Sequence, residues 1–219
     1  MPLKKLLNFI FPRQCVGCGN WVSYICSNCL NFLKTCDNRI CPICSRPSLS
    51  GLTHIGCKRV KSLDGLTSIF VYKGLFKKVL HKLKYRQVTD LSKTILELFL
   101  SLAGEDQALY KFILPKKVCL IPIPLPFKEK NWRGFNQSEL MGKKIADKLE
   151  INYDQDVLKM LMKTKKVKDK NLNIFISNYP YILLFNDVWI TGASLREYSK
   201  LLKQNGFKKV WGLTLARSI

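Results

Sequence analysis

Three Cys-x-x-Cys pairs near the N-terminus constrain this chain more than any other feature. The sequence holds nine cysteines, and all but Cys119 lie between Cys15 and Cys57. Two residues between cysteines is the spacing at which a tight turn directs both sulfur atoms toward one metal ion, and two such turns complete a tetrahedron. Since nothing in the sequence indicates export, we expect reduced thiols that bind zinc rather than disulfides.

The cysteines divide into one complete and one incomplete ligand set. The complete set is predicted to consist of Cys15, Cys18, Cys26 and Cys29. The second set supplies three thiolates, from Cys41, Cys44 and Cys57. Its fourth ligand is either His54, which would form a His-x-x-Cys turn with Cys57, or Cys36, which precedes Cys41 by five residues. Either side chain can reach the site, and the spacing does not choose between them.

The character of the chain changes near residue 62, where the cysteine-rich segment ends. We therefore predict a small zinc-ribbon module over residues 1–61 and a larger domain over residues 62–219. In the larger part, strand-like runs such as 67–72 and 118–124 alternate with helical patterns. This alternation predicts an α/β domain with a parallel sheet. With 47% hydrophobic residues, a chain of 219 residues can bury a sizeable core.

The charge of the chain has two interpretations. Lys and Arg number 37 against 15 Asp and Glu, which gives a net charge of +22. Such an excess attracts polyanions such as nucleic acids, but a lysine-rich solvated surface gives the same count. The same alternatives apply to the helical segment 75–85, which would be either an ordinary surface helix or the flank of an anion site. Its polar face carries Lys77, Lys78, His81, Lys82 and Lys84. A further basic cluster consists of Lys159, Lys163, Lys165, Lys166, Lys168 and Lys170.

Hydropathy argues against a membrane protein. No run reaches the roughly 18 apolar residues that a membrane span requires, and the apolar stretch 6–11 ends at Pro12 without a cleavage-like site. We therefore expect a cytoplasmic protein without a membrane span.

A strand, a loop of small residues and a helix follow one another near the C-terminus. Residues 181–185 form an apolar run typical of a central strand, with Asn186 and Asp187 at its end. The loop 190–194 contains Gly192, which permits close approach of an anion, and leads into a helix for which we predict Ser194 as N-cap. Hydroxyls, exposed amides and the helix dipole favour a phosphate there, and Asp187 is placed to accept hydrogen bonds from sugar hydroxyls. The pattern predicts a ribose 5-phosphate site.

These residues carry a family resemblance that covers nearly the whole chain. Residues 183–194 (LLFNDVWITGAS) resemble the phosphoribosyl-diphosphate (PRPP) motif of type I phosphoribosyltransferases. Residues 133–137 (RGFNQ), preceded by IPIPL, resemble the motif of the ComF/GntX group, and the cysteine array resembles that group's double zinc ribbon. The resemblance implies a PRPP-binding fold, with Mg²⁺ accompanying PRPP. It also implies a role in natural transformation, with imported single-stranded DNA and a competence helicase or recombination protein as partners.

The resemblance also assigns roles to individual residues. Asn186 and Asp187 would hold the ribose hydroxyls, and Arg133 and Asn136 would face pyrophosphate. The 5-phosphate would be bound by Thr191, Gly192, Ala193 and Ser194. For the aromatic residues Trp132, Phe135 and Trp189, base stacking and core packing are alternatives.

The chain departs from the family pattern at three places. Asn186 replaces one of two acidic residues, and Ile190 replaces the first Thr of the loop. A T-x-x-Q-x-x-L segment is missing between Lys163 and Asn171; in the phosphoribosyltransferases a mobile loop of this region closes over the reacting centre. We therefore predict a binding protein, with an active phosphoribosyltransferase of unknown acceptor as the alternative.

Overall fold

The computed structural model describes residues 13–21, 23–86, 89–125, 136–164 and 170–219. In these ranges one five-stranded sheet has the order β1-β5-β4-β2-β3, and every neighbouring pair is parallel. The strands are β1 (Gly65–Val71), β2 (Val118–Pro122), β3 (Asn152–Tyr153), β4 (Tyr181–Trp189) and β5 (Lys209–Arg217). The predicted α/β class with a parallel sheet is confirmed.

Among the described residues, one short helix lies before β1, and the other helices connect successive strands. They are α1 (Ser27–Leu30), α2 (Gly74–Arg86), α3 (Thr89–Ala103), α4 (Gln107–Ile113), α5 (Gln137–Leu149), α6 (Val157–Thr164), α7 (Lys170–Asn178) and α8 (Ala193–Gln204), with 3-10 turns at Leu49–Gly51 and Ile55–Cys57. Asn136 is the N-cap of α5, because its side chain accepts a hydrogen bond from the Ser138 amide. None of the helices in the described ranges combines the length and the apolar character needed to cross a bilayer.

Two hydrophobic cores cover the two faces of the sheet. One contains the apolar sides of α2, α3 and α5, for example Phe76, Phe99 and Met141. The other contains apolar residues of α6 and α8, such as Leu158 and Leu202. The chain therefore leaves β2 toward one face through α5 and leaves β4 toward the other face through α8. The carboxyl ends of these adjacent strands form the crevice in which open α/β sheets bind ligands.

The cysteine-rich segment packs against both faces of this domain. Cys15, Ile25 and Cys29 belong to the core that contains α2, and Ile40 belongs to the core that contains α8. A buried polar link adds to this packing, since the Arg39 guanidinium lies 3.3 Å from the buried Asp106 carboxylate, which also caps α4. The division at residues 61 and 62 stays a prediction.

Two predicted boundaries near the C-terminus were wrong. β4 continues past Phe185 to Trp189 because β5 remains alongside it as far as Arg217, although β2 ends at Pro122. Asn186 and Asp187 therefore lie inside β4, beyond the end of β2. The N-cap of α8 is Gly192, not Ser194, because Gly192 adopts a left-handed conformation (φ 74°, ψ 8°) that starts the helix earlier.

Candidate metal centres and anion cavity

The first cysteine cluster has the dimensions of a tetrahedral zinc site. One ligand atom from each of its members lies within 4.8 Å of the others; the members are Cys15, Cys18, Cys26 and Cys29. The Sγ atom of Cys26 lies 3.7 Å from that of Cys15 and 3.6 Å from that of Cys18. Zn–S bonds of about 2.3 Å in a tetrahedron place the sulfur atoms about 3.8 Å apart. The described cysteines are free thiols, so the cluster fits a metal ion.

Tight turns hold this cluster together. A Cβ atom added at Gly17 would lie 2.5 Å from the Cys29 sulfur, so the Cys15–Cys18 turn needs glycine to approach the opposite thiol. Burial opposes ionisation of Cys15, but hydrogen bonds from the amides of Cys18 and Cys26 outweigh it and lower the pKa of this thiol to about 6. A hydrogen bond with Cys26 instead raises the pKa of Cys29 to about 12. The amides of the turns thus favour at Cys15, but not at Cys29, the thiolate that metal binding requires.

The second cluster is closed by a histidine. Its ligand atoms also lie within 4.8 Å of one another and come from Cys41, Cys44, His54 and Cys57. The Cys44 Sγ lies 3.4 Å from His54 Nδ1, where bonds of about 2.3 Å to sulfur and about 2.0 Å to nitrogen give about 3.5 Å. His54 Nε2 lies 3.0 Å from the Pro47 carbonyl oxygen. Donation to that carbonyl places the proton on Nε2 and leaves Nδ1 for a metal, as second-shell partners of zinc ligands do.

The alternative fourth ligand, Cys36, lies outside this cluster. Its thiol is buried and donates to the Phe70 carbonyl oxygen at 3.1 Å, while its amide donates to the Ile69 carbonyl. Burial raises the pKa of Cys36, which disfavours the thiolate. By contrast, amide hydrogen bonds from Cys44 and His54 overcome burial and lower the pKa of Cys41 to about 7. Position and ionisation therefore both favour His54.

The predicted phosphate loop lines a cavity of about 260 Å³, the anion cavity. Its walls are Tyr72 and residues 186–195, which include Asn186, Asp187, Thr191, Gly192, Ala193 and Ser194. The structure thus brings together these six predicted ligand residues at the carboxyl end of β4. Asp187 is the one carboxylate in this lining, and no lysine, arginine or histidine belongs to it among the described residues.

Two residues of the first turn of α8 that line this cavity have amides without a backbone partner in the described ranges. The amides of Ser194 and Leu195 have no backbone acceptor within the described part of the chain, as expected in the first turn of a helix. Gly192 is needed for the close turn, because a Cβ atom there would lie 2.1 Å from Cζ2 of the buried Trp189 ring. Thr191 Oγ1 accepts weakly from the Ala193 amide at 3.3 Å. Free amides at the positive end of a helix dipole suit a phosphate.

Comparisons with known proteins match almost the full chain. Competence protein F of Haemophilus influenzae is 26% identical over 96% of this chain and 100% of its own length. Competence protein ComFC of Bacillus subtilis is 26% identical over 89% of this chain and 84% of its own. DNA utilization protein YhgH of Escherichia coli is 24% identical over 94% of this chain and 95% of its own. These matches confirm the resemblance to the ComF family that the sequence motifs predicted. No protein-family model matches this chain.

The RGFNQ motif lies only partly in the described residues. Arg133, Trp132 and Phe135 lie outside them. Asn136 is buried, and its Nδ2 donates to the Ile123 carbonyl at 3.1 Å while its Oδ1 accepts from the Ser138 amide. In this structure Asn136 therefore positions the start of α5 and does not line the anion cavity.

The start of α5 is tied to the anion cavity through Ser138. Its hydroxyl lies 3.2 Å from Oδ1 of Asn186, whose Nδ2 donates to the Val188 carbonyl at 3.0 Å. The Asn186 amide, which stands where the family pattern has an acidic residue, thus has partners for both of its polar atoms. Asp187 Oδ1 accepts from the Val188 amide at 2.8 Å.

Arg196 is a residue that sequence reasoning missed. Its guanidinium donates to the Pro42 carbonyl at 3.1 Å and to the Thr191 carbonyl at 2.6 Å. It also lies 5.5 Å from the centre of the Trp189 ring. Pro42 belongs to the turn between Cys41 and Cys44, so Arg196 joins the second metal cluster to the phosphate loop. Its contact with Pro42 spans 154 residues, and no local pattern could have revealed it.

Two predictions about nucleic-acid contacts change with the structure. Trp189 is buried, so core packing accounts for it and base stacking does not. The Lys159 ammonium lies 3.0 Å from Glu139 and 3.2 Å from Asp156, so its charge is paired within the protein. From the same basic cluster, Lys165, Lys166 and Lys168 lie outside the described residues.

Proposed function

We propose that this chain acts in DNA uptake and natural transformation as a binding protein for a phosphoribosyl ligand, with single-stranded DNA and a DNA-processing protein as partners. Its relatives are named competence proteins and DNA utilization proteins, and they match almost the full chain. The free thiols of the described cysteines suit a reducing compartment, so we place this activity in the cytoplasm.

The observation that carries the ligand proposal is the anion cavity at the end of β4. Phosphate would bind at the first turn of α8, where the amides of Ser194 and Leu195 are open. Asp187 and Asn186 would face the ribose hydroxyls from β4, which ends two residues after Asp187, at Trp189. PRPP combines this ribose and phosphate with a pyrophosphate group that Mg²⁺ accompanies. Because the described lining has a single carboxylate, we expect Mg²⁺ to arrive with PRPP rather than bind the protein alone.

Isothermal titration calorimetry with PRPP and Mg²⁺ tests this proposal. The informative variant is Asp187→Asn, since a hydrogen bond to a charged group contributes about 1.5–3 kcal/mol, or roughly 10- to 150-fold in affinity. The matched control is Asp147→Asn, which removes an exposed aspartate of α5 and should leave affinity unchanged. No heat with PRPP, or equal affinity of both variants, would overturn the proposal.

A transferase assay separates binding from catalysis. PRPP and Mg²⁺ are incubated with a panel of nucleobases, and pyrophosphate is measured. The binding proposal expects no release above that of the Asp187→Ala variant. Release that is lost in this variant would instead show the predicted alternative, glycosyl transfer from PRPP.

Zinc would occupy the two clusters as a structural ion. The ligands would be Cys15, Cys18, Cys26 and Cys29 in the first site and Cys41, Cys44, His54 and Cys57 in the second. Both sets are four-coordinate without an open position, which is typical of structural rather than catalytic zinc. The ion would fix turns that pack on both faces of the sheet, and its binding energy would contribute to folding.

The proposed function also includes a protein partner. A competence helicase or a recombination protein is the class that a carrier of imported single strands would meet. Purified candidates of both kinds can be tested for complex formation by analytical size exclusion, with and without a single-stranded oligonucleotide. Absence of a complex under both conditions would remove this part of the proposal and leave ligand binding unaffected.

A further inference from the structure

A second cavity lies between the first cysteine cluster and α2. Its volume is about 820 Å³, compared with about 260 Å³ for the anion cavity. Residues 14–16 and Gly19 form one wall, and Gly74 with four basic residues of α2 forms the other. We call this cavity the basic groove; its basic residues are Lys77, Lys78, His81 and Lys82. None of the described residues lines both the basic groove and the anion cavity.

The basic groove concentrates charge of one sign. Its basic residues lie at positions i, i+1, i+4 and i+5 of α2, on one side of the helix. Leu75, Phe76 and Val79 fill the core on the other side. No acidic residue belongs to the described lining, and no carboxylate among the described residues lies within 4.0 Å of the Lys77, Lys78 or Lys82 ammonium. The low dielectric constant of the walls of a cleft strengthens the positive electrostatic potential inside it, so the groove attracts polyanions.

Aromatic rings accompany these charges. The Tyr24 ring lies beside the groove, with the Lys82 ammonium 5.9 Å and the Arg13 guanidinium 6.0 Å from its centre. Trp21, two residues beyond Gly19 of the groove wall, is 65% exposed. Proteins that bind single strands combine a basic groove for the phosphates with aromatic rings on which bases stack, whereas a compact polyphosphate needs no such rings.

The basic groove and the anion cavity are neighbours. Tyr72 lines the anion cavity and Gly74 lines the groove, so a single residue, Lys73, separates the two linings in the chain. The Lys77 ammonium of the groove lies 5.9 Å from the centre of the Tyr72 ring. A strand held in the groove would therefore pass close to the phosphoribosyl site.

We propose that the basic groove binds the phosphate backbone of single-stranded nucleic acid, with Lys77, Lys78 and Lys82 as its phosphate contacts. This inference rests on the proposed function, for which it names the binding surface. It gives α2 the role of flanking an anion site, one of the two alternatives that the sequence left open.

The test is fluorescence anisotropy of a labelled oligothymidylate of about 20 residues over a series of salt concentrations. The variant replaces Lys77, Lys78 and Lys82 together by Gln. Each phosphate contact to a single strand contributes a slope of about −0.7 to log K against log[salt]. The triple variant should therefore lose about 2 in slope and about 100-fold in affinity at about 0.1 M salt.

A charge-matched control variant replaces the exposed Lys148, Lys200 and Lys208 by Gln. It removes the same charge away from the groove, and we expect its affinity to change by less than about threefold because such distant charges are screened. Zinc content and PRPP affinity of the groove variant should match the unmodified protein, which excludes misfolding.

The outcomes separate the inference from the proposed function. Binding of the oligonucleotide with equal losses in the two triple variants would overturn the groove while single-strand binding survived. No binding by the unmodified protein would overturn both. Equal competition by heparin at matched charge would show a general polyanion surface and would also overturn the inference.

Discussion

Replacement of Gly192 by Ala tests whether the phosphate loop depends on the packing of Trp189. Gly192 has φ 74°, and an added Cβ atom would lie 2.1 Å from Cζ2 and 2.2 Å from Cη2 of the indole. The indole is 2% exposed and is covered by the Arg196 guanidinium, so it cannot move without disturbing the core. Gly74 is a matched control, because its φ is also positive, at 53°, but nothing lies within 4 Å of its added Cβ.

The expected cost follows from these two positions. A left-handed conformation costs a non-glycine residue about 1–2 kcal/mol, and this penalty applies to both variants. Overpacking adds about 1–3 kcal/mol for Gly192→Ala alone. We therefore expect the free energy of unfolding to fall by about 1–2 kcal/mol in Gly74→Ala and by about 2–5 kcal/mol in Gly192→Ala.

Urea unfolding of zinc-saturated protein measures both variants, and PRPP titration measures the site. Relief of the clash would displace the loop, so Gly192→Ala should weaken PRPP binding at least about tenfold, equivalent to about 1.4 kcal/mol, while Gly74→Ala should retain it. Equal destabilisation of the two variants, or unchanged PRPP affinity in Gly192→Ala, would refute the reasoning.

Three further predictions concern the metal sites and the core. Native mass spectrometry should count two zinc ions in the unmodified protein and in Cys36→Ser, but one in His54→Ala; a count of one in Cys36→Ser would contradict the ligand assignment. Zinc retention against a chelator should fall as pH drops through about 6. The pKa of the Cys15 thiol in the folded protein lies below its ordinary value of 9.0, so the stability that its thiolate contributes is lost as pH falls through the folded value. Retention that stays constant from about pH 8 to 5 would contradict this prediction. Lys203→Met should lower the free energy of unfolding in urea by about 3–5 kcal/mol, because it leaves the Asp64 carboxylate, 2.7 Å from the ammonium, without its ion-pair partner. The double variant with Asp64→Asn should recover part of that free energy.

Local patterns in the sequence predicted much of the candidate site. The Cys-x-x-Cys spacing predicted both cysteine groups because a two-residue turn alone brings its sulfur atoms together. The apolar run before Asn186 and the small residues after it predicted a strand, a loop and a helix, and the cavity at that place contains six of the eight predicted ligand residues. Each of these features depends on residues that are close in the chain.

Boundaries were less predictable because neighbouring strands decide them. β4 extends to Trp189 because β5 pairs with it that far. The residue pattern of one strand does not indicate how long the neighbouring strand is. Likewise, Gly192 rather than Ser194 is the N-cap of α8 because Gly192 adopts a left-handed conformation, and the contact with the Trp189 ring that keeps this position a glycine is a tertiary one.

The sequence by itself determined the α/β class, the cysteine groups and the chemistry of the loop at residues 190–194, because these follow from spacing, periodicity and residue type. Only the tertiary structure showed that His54 rather than Cys36 belongs to the second cluster. It also showed that Asn136 is buried as a helix cap and that Arg196 connects the second cluster to the loop. It also set the strand order and formed the basic groove from the first cysteine cluster and α2. These features depend on which distant segments meet, and packing of the whole chain decides that.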